Sequence, residues 1–281
     1  MKRKGFLTIE LLIVIILASV LSLALLSTFI VSNSAFKTGR MVSELTEDVR
    51  NAFTTLDYLF SRWGQGVPCA DNNCTISSTL PDCTSYPPRD PMCVTISDNG
   101  RKAEFYANLY GSGFVESANN LHASIISCRL NSGSKQNCYY IFDNSGFRIR
   151  SLNNQPVAVK LSSFTGQPDC LMNAQPNLFI NRTLFEWDTV SNSSILTLMP
   201  GDFIVRVPHR ITLYVKNIAG ENWLVYDRTD MENGCGDSEN SVRIIRIRDL
   251  TISKDHRTVV FNATLITANG TTYLMERRFG R

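Results

Sequence analysis

The sequence predicts an α+β chain: one long N-terminal helix, apolar over its first half, laid on a mostly antiparallel β-sheet domain. Three observations predict this. No charged residue occurs from Leu11 to Phe36, a run long enough to cross a hydrocarbon layer of about 30 Å as a helix. No proline or turn cluster separates that run from Trp63, Gly39 apart, so the helix is expected to continue. Beyond Cys93 the pattern turns to short β-type runs divided by turn residues.

The head comes first in the chain. Lys2, Arg3 and Lys4 precede Gly5 and Phe6, and Glu10 stands at the start of the apolar run. An ordinary secretory signal has a shorter apolar core of about 7–15 residues before its cleavage site. A carboxylate inside an apolar run costs about 2.5 kcal/mol or more and is usually retained for a purpose. In a plain anchor, Glu10 would merely snorkel from the helix end to the interface. The segment Lys2-Arg-Lys-Gly5-Phe6-Leu-Thr-Ile-Glu10-Leu-Leu-Ile-Val14 resembles the class III leader and head of type IV pilins and pseudopilins. That resemblance implies a pilin-like fold, cleavage by a prepilin peptidase between Gly5 and Phe6, and N-methylation of the new amino terminus. It also implies that Glu10 pairs with the cationic terminus of a neighbouring subunit during assembly, as a charge in low dielectric requires. The proline that interrupts this helix in many major pilins is absent, which leans towards minor pilins or pseudopilins.

Residues 37–63 are read as the amphipathic continuation of the transmembrane head, residues 6–36, with 1–5 as leader. Met41, Leu45, Val49, Ala52, Leu56 and Leu59 recur at spacings of three and four, an apolar stripe for a globular domain to pack on. Glu44, Glu47, Asp48 and Arg50 take the other side. Met41–Phe60 is similar to the corresponding helix of PilW-like minor pilins and GspJ-type minor pseudopilins, chiefly around Glu47-Asp48-Val49-Arg50. Lys37 and Arg40 after the span nearly balance the three basic residues before it, so charge alone orients the helix weakly.

Residues 64–281 form the expected β-rich extracytoplasmic domain. Trp63-Gly-Gln-Gly-Val-Pro68 ends the helix, and the cysteine-dense segment 69–93, with several prolines, reads as a stapled loop. Strands are expected at 93–97, 124–130, 137–142, 147–152, 157–161, 195–199, 203–207, 211–216, 223–226, 242–252, 258–266 and 271–277. Asn269-Gly270 is a strong hairpin signal and Asn144-Ser-Gly146 a fair one. Segments 105–127 and 170–189 are read as insertions.

The eight cysteines, all beyond the apolar head, indicate an oxidised compartment outside the cytoplasm. Their spacings fit no common zinc finger or ribbon. Cys128 and Cys138, flanking a polar loop, are the best local disulfide pair. The remaining connectivity is open, because eight cysteines allow about 105 pairings.

Catalytic chemistry is not legible. His122, His209 and His256 belong to no metal-ligand spacing and read as surface residues, and no nucleophile elbow, phosphate loop or dinucleotide fingerprint occurs. No catalytic residue, metal or cofactor is expected; acidic loops at Asp71, Asp143 and Asp237 read as ordinary turns rather than calcium sites. The net charge of +3 is carried by the first five residues; without them 25 basic side chains face 25 acidic ones. No nucleic-acid partner is indicated. The resemblance implies a structural subunit of the inner membrane that helps initiate or cap a type IV pilus or type II secretion-like filament. Its expected partners are the prepilin peptidase and other pilins or pseudopilins, met through the hydrophobic helix. The alternative is a filament-displayed adhesin or ligand-binding module; a membrane-anchored enzyme stands behind both.

Overall fold

The computed structural model describes residues 3–70, 74–110, 112–118, 122–126, 138–144, 149, 151–152, 155–156, 159–165, 182–187, 199–231, 238–266 and 272–280. Its layout is α+β. Helix α1 runs from Arg3 to Ser61, about 88 Å at about 1.5 Å per residue. The strands are β1 (Val94–Ser97), β2 (Lys102–Ala107), β3 (Ser112–Ala118), β4 (His122–Ile126), β5 (Cys138–Phe142), β6 (Ser151–Leu152), β7 (Gln155–Pro156), β8 (Val159–Thr165), β9 (Arg182–Trp187), β10 (Phe203–Arg206), β11 (His209–Ile218), β12 (Glu221–Asp230), β13 (Glu239–Asp255), β14 (Thr258–Ile266) and β15 (Thr272–Gly280).

Seven strands form an open antiparallel sheet in the order β1-β2-β11-β12-β13-β14-β15, and β10-β3-β4-β9-β8-β5 close into a six-stranded barrel. The 17-residue β13 serves two neighbours: its first half pairs with β12 and its second half with β14, with a register shift at Ile247/Asp249. The helix packs on the open sheet because both present matching apolar faces. Ala52, Leu56, Leu59 and Phe60 meet Phe105, Ile245, Ile252, Phe261 and Phe279 in one buried cluster.

The helix ends where expected. Trp63 is 1% exposed, bridges Ala107, and donates its indole N–H to the Cys93 carbonyl at 3.2 Å. Gly66 has φ +64°, and a Cβ there would lie 2.1 Å from Val205 Cγ1, so the turn that leads the chain off the helix demands glycine.

The stapled loop is borne out, with disulfides Cys69–Cys74 and Cys83–Cys93. The expected Cys128–Cys138 pair lies outside the described residues, since Cys128 and the side chain of Cys138 are not among them. Inside the loop, buried Asp90 accepts from Arg257 Nη1 at 2.9 Å and from the Met92 amide at 2.9 Å. Lys254 reaches Asp82 at 2.6 Å. These contacts fasten the loop to the β13–β14 hairpin. Replacing Cys83 and Cys93 together by Ser is expected to cost about 2–4 kcal/mol through restored freedom of the unfolded loop. Denaturant titration of oxidised wild type against the double variant measures it; equal midpoints would contradict the loop's role.

One expectation is refined and one corrected. Segment 105–127 is divided: Phe105, Tyr106 and Ala107 are buried in β2, which pairs with β1 and β11 inside the open sheet, while β3 and β4 belong to the barrel. Segment 170–189 contributes β9 to the same barrel, whose strands all lie in sequence between β2 and β11, neighbours in the open sheet. His209 is not a surface residue. It is fully buried, with Nε2 2.7 Å from Asp230 Oδ1. His256, at the β13–β14 turn, is exposed as expected.

Candidate assembly surface of the helix

The helix divides into two environments along one unbroken axis. From Ile9 to Arg40 every residue is exposed, among them Leu11 at 63%, Ile16 at 55% and Phe36 at 72%. The run is long and apolar enough to cross a membrane, and none of its apolar window is buried. From Met41 onward the stripe turns inward: Met41, Leu45 and Val49 are half-buried, and Ala52, Leu56 and Leu59 are buried. Within one 59-residue helix, the first half has no partner among the described residues and the second half is core.

Six hydroxyls in the bare half are paired locally. Ser19, Ser22, Ser27, Thr28, Ser34 and Thr38 each donate to a carbonyl three or four residues earlier, at 2.8–3.0 Å. Such back-bonding lets a hydroxyl face hydrocarbon with its donor paired. Glu10 differs from these. It is exposed on α1, one residue before the uncharged run, and among the described residues it makes no ion pair. Gly5 and Phe6 lie in the first turns of α1, and only their backbone is described.

The buried half is anchored by polar contacts as well as packing. Arg277 of β15 donates to both carboxylate oxygens of Asp57 at 2.9 Å, and its guanidinium lies 5.3 Å from the Phe53 ring centre. Tyr58 donates to the Leu109 carbonyl. A surface ion pair, Arg40–Glu44 at 2.9 Å, spans one helical turn where the two halves meet. Sequence reasoning found this stripe and the split, but missed the contribution of β15, whose charged half offered no sign of its contact with α1.

A second gathering of ionisable groups lies where β10 meets β11. Arg206 ends β10, His209 begins β11 and Asp230 ends β12. The Arg206 and Arg228 guanidinium groups lie 4.5 and 5.6 Å from the Tyr110 ring centre, and the His209 ring lies 5.3 Å from it. Burial pushes His209 below its usual 6.5, against the opposing pull of Asp230. Burial also drives Tyr139 up to about 12, opposed by Arg206. The group is sealed, with Arg206 only 3% exposed and His209 at 0%, and it joins the barrel to the open sheet.

A pH dependence follows. Burial lowers His209 in the fold, whereas it protonates near 6.5 in the unfolded chain. Acid therefore favours the unfolded state first, and stability falls as pH drops below 6.5 towards the lowered folded value. Melting curves between pH 7.5 and 5 are expected to show a steeper loss in wild type than in His209→Gln. Parallel losses would remove His209 from that dependence.

No family model matches the chain, and no solved structure matches it. An uncharacterized protein of Aquifex aeolicus (strain VF5) is 30% identical over 228 residues, 79% of this chain and 76% of the other. The similarity spans most of both proteins, and this chain belongs to that protein's family.

Proposed function

We propose that the chain is a minor pilin or pseudopilin, a structural subunit that helps initiate or cap a type IV pilus or type II secretion-like filament. In this reading a prepilin peptidase cuts between Gly5 and Phe6, and the bare half of α1 packs sideways against the helices of other pilin-type subunits. The observation that carries it is the division of α1: a fully exposed apolar half with an acid at its start, continuous with a half buried in the domain. A simple tether has no need of that acid. In the filament, Glu10 meets the cationic amine of an adjoining Phe6, and the pair fixes axial register because either charge alone in low dielectric is costly.

The cysteine-linked loop supports placing the β-rich domain outside the cytoplasm, where disulfides persist. The inner membrane holds the subunit before assembly. The chain contributes packing, not catalysis. Fractionation of cells making the filament tests the reading: the subunit is expected to co-purify with sheared filaments. Recovery solely in the membrane, from cells that make normal filaments without it, would contradict the reading.

A further inference from the structure

The open seven-stranded sheet has two edges, and they are treated differently. The β1 edge is closed by its own chain: the Val94 amide donates to the Pro81 carbonyl at 2.9 Å, the Cys83 amide donates to Thr95 Oγ1 at 2.9 Å, and the Cys83–Cys93 disulfide pins the covering segment. The β15 edge is the last strand of the sheet. It pairs with β14 over nine consecutive residues without a bulge. Natural sheets blunt a straight edge with charge, proline or a bulge. Glu276, Arg277 and Arg278 guard the distal half of β15, whereas Thr272-Tyr-Leu-Met275 carries none of these devices.

That unguarded half borders an apolar groove of about 410 Å³ between β15 and α1, lined by Val42, Leu45, Val49, Phe53, Tyr273 and Met275. Val42, Tyr273 and Leu274 are 49%, 42% and 82% exposed. The groove begins six residues beyond Phe36 along the same helix, past the exposed Lys37 and Arg40.

Direction identifies the occupant. Tyr273 and Met275 lie by helix residues 42–53, Arg277 pairs with Asp57, and Phe279 stacks on Phe60. β15 therefore runs the same way as α1, away from the membrane. Every pairing in this sheet is antiparallel, the more stable arrangement per residue. A second copy adding its own β15 antiparallel would carry its α1 in the opposite direction, which a shared membrane forbids.

We propose that the membrane-proximal half of β15, with the groove beside it, takes up an extended strand of a different membrane-anchored subunit, running antiparallel to β15 and towards the membrane. Main-chain hydrogen bonds supply the affinity, and the groove selects the strand's side chains. The pattern required is apolar at the membrane-proximal end, over the groove, and polar at the other, beside Glu276 and Arg278. This rests on the assembly reading only in that the partner shares the membrane.

The test uses full-length chain in native membranes carrying Leu274→Cys, with Ser253→Cys, exposed on the inner strand β13, as control. A short bismaleimide cross-linker is expected to join position 274, and not 253, to another pilin-type subunit, within a peptide of the stated polarity. Leu274→Lys should lower co-purification of that subunit at least about tenfold, a loss of about 1.4 kcal/mol in contact. A homodimer linked through position 274, equal labelling at 253, or unchanged co-purification of Leu274→Lys would overturn the proposal. Cleavage at Phe6, read on the same samples, separates the two ideas: processed chain without the 274 adduct rejects the strand-docking edge alone, whereas unprocessed chain rejects the assembly reading.

Discussion

Replacing Phe60 by Ala is expected to lower the melting temperature of the detergent-solubilised chain by roughly 6–20 °C, the equivalent of about 3–5 kcal/mol for truncating a buried aromatic in a domain of this size. Phe60 is the point at which helix and sheet are joined. Its ring stacks on Phe105 at 4.6 Å and on Phe279 at 4.2 Å, and meets Phe261 and Trp63 edge-on at 5.4 and 5.7 Å. These neighbours come from β2, β15, β14 and the helix end, so no single strand can move in to fill the space. Phe36→Ala is the matched control: the same side chain on the same helix, but 72% exposed. It should leave the melting temperature nearly unchanged, and a comparable drop in both variants would contradict the division of α1 into bare and buried halves.

The second large effect concerns assembly. Glu10→Ala removes one partner of the proposed ion pair and leaves the amine of a neighbouring Phe6 uncompensated in the apolar layer. Breaking a buried pair in this one-sided way costs about 3–5 kcal/mol, enough to lower filament incorporation by well over about tenfold. Membrane insertion should survive, because the uncharged run from Leu11 to Phe36 is untouched. Quantitative blotting of membrane and sheared-filament fractions reads both effects together. Normal incorporation of Glu10→Ala would take Glu10 out of the mechanism.

Much of this architecture was legible because long periodic signals dominate their neighbours. The α1 stripe from Met41 to Leu59 is buried or half-buried at each named position, and the chain leaves the helix at Trp63 as its turn residues indicate. β14 occupies residues 258–266 as read from its apolar alternation, and its antiparallel pairing with β15 accords with the Asn269-Gly270 signal. Phe142 bridges Ile149 across the Asn144 turn.

The misses have physical causes. In β2 both faces are covered, so Phe105, Tyr106 and Ala107 are all buried and the period of two disappears. The apolar pattern marks only residues 223–226 of β12, but the strand extends to Asp230 because its polar end is paired with β11; Asp227 accepts from the Tyr214 hydroxyl at 3.2 Å and from the Ser241 amide at 2.6 Å. The burial of His209 leaves no local sign because its partner, Asp230, lies 21 residues away and meets it through the β11–β12 register. The open β15 edge was illegible for a related reason: which strand ends a sheet is decided by topology, and no local pattern records it.

Glu10 finds its proposed partner only where a new amino terminus forms beside the bare helix. Mass spectrometry of the mature chain, recovered from cells with an active prepilin peptidase, tests that dependence most directly. The expected N-terminal peptide begins at Phe6 and carries one methyl group on its amine. A chain that retains Lys2 to Gly5 in those cells would contradict the account, because no neighbouring amine would then exist for Glu10 to meet.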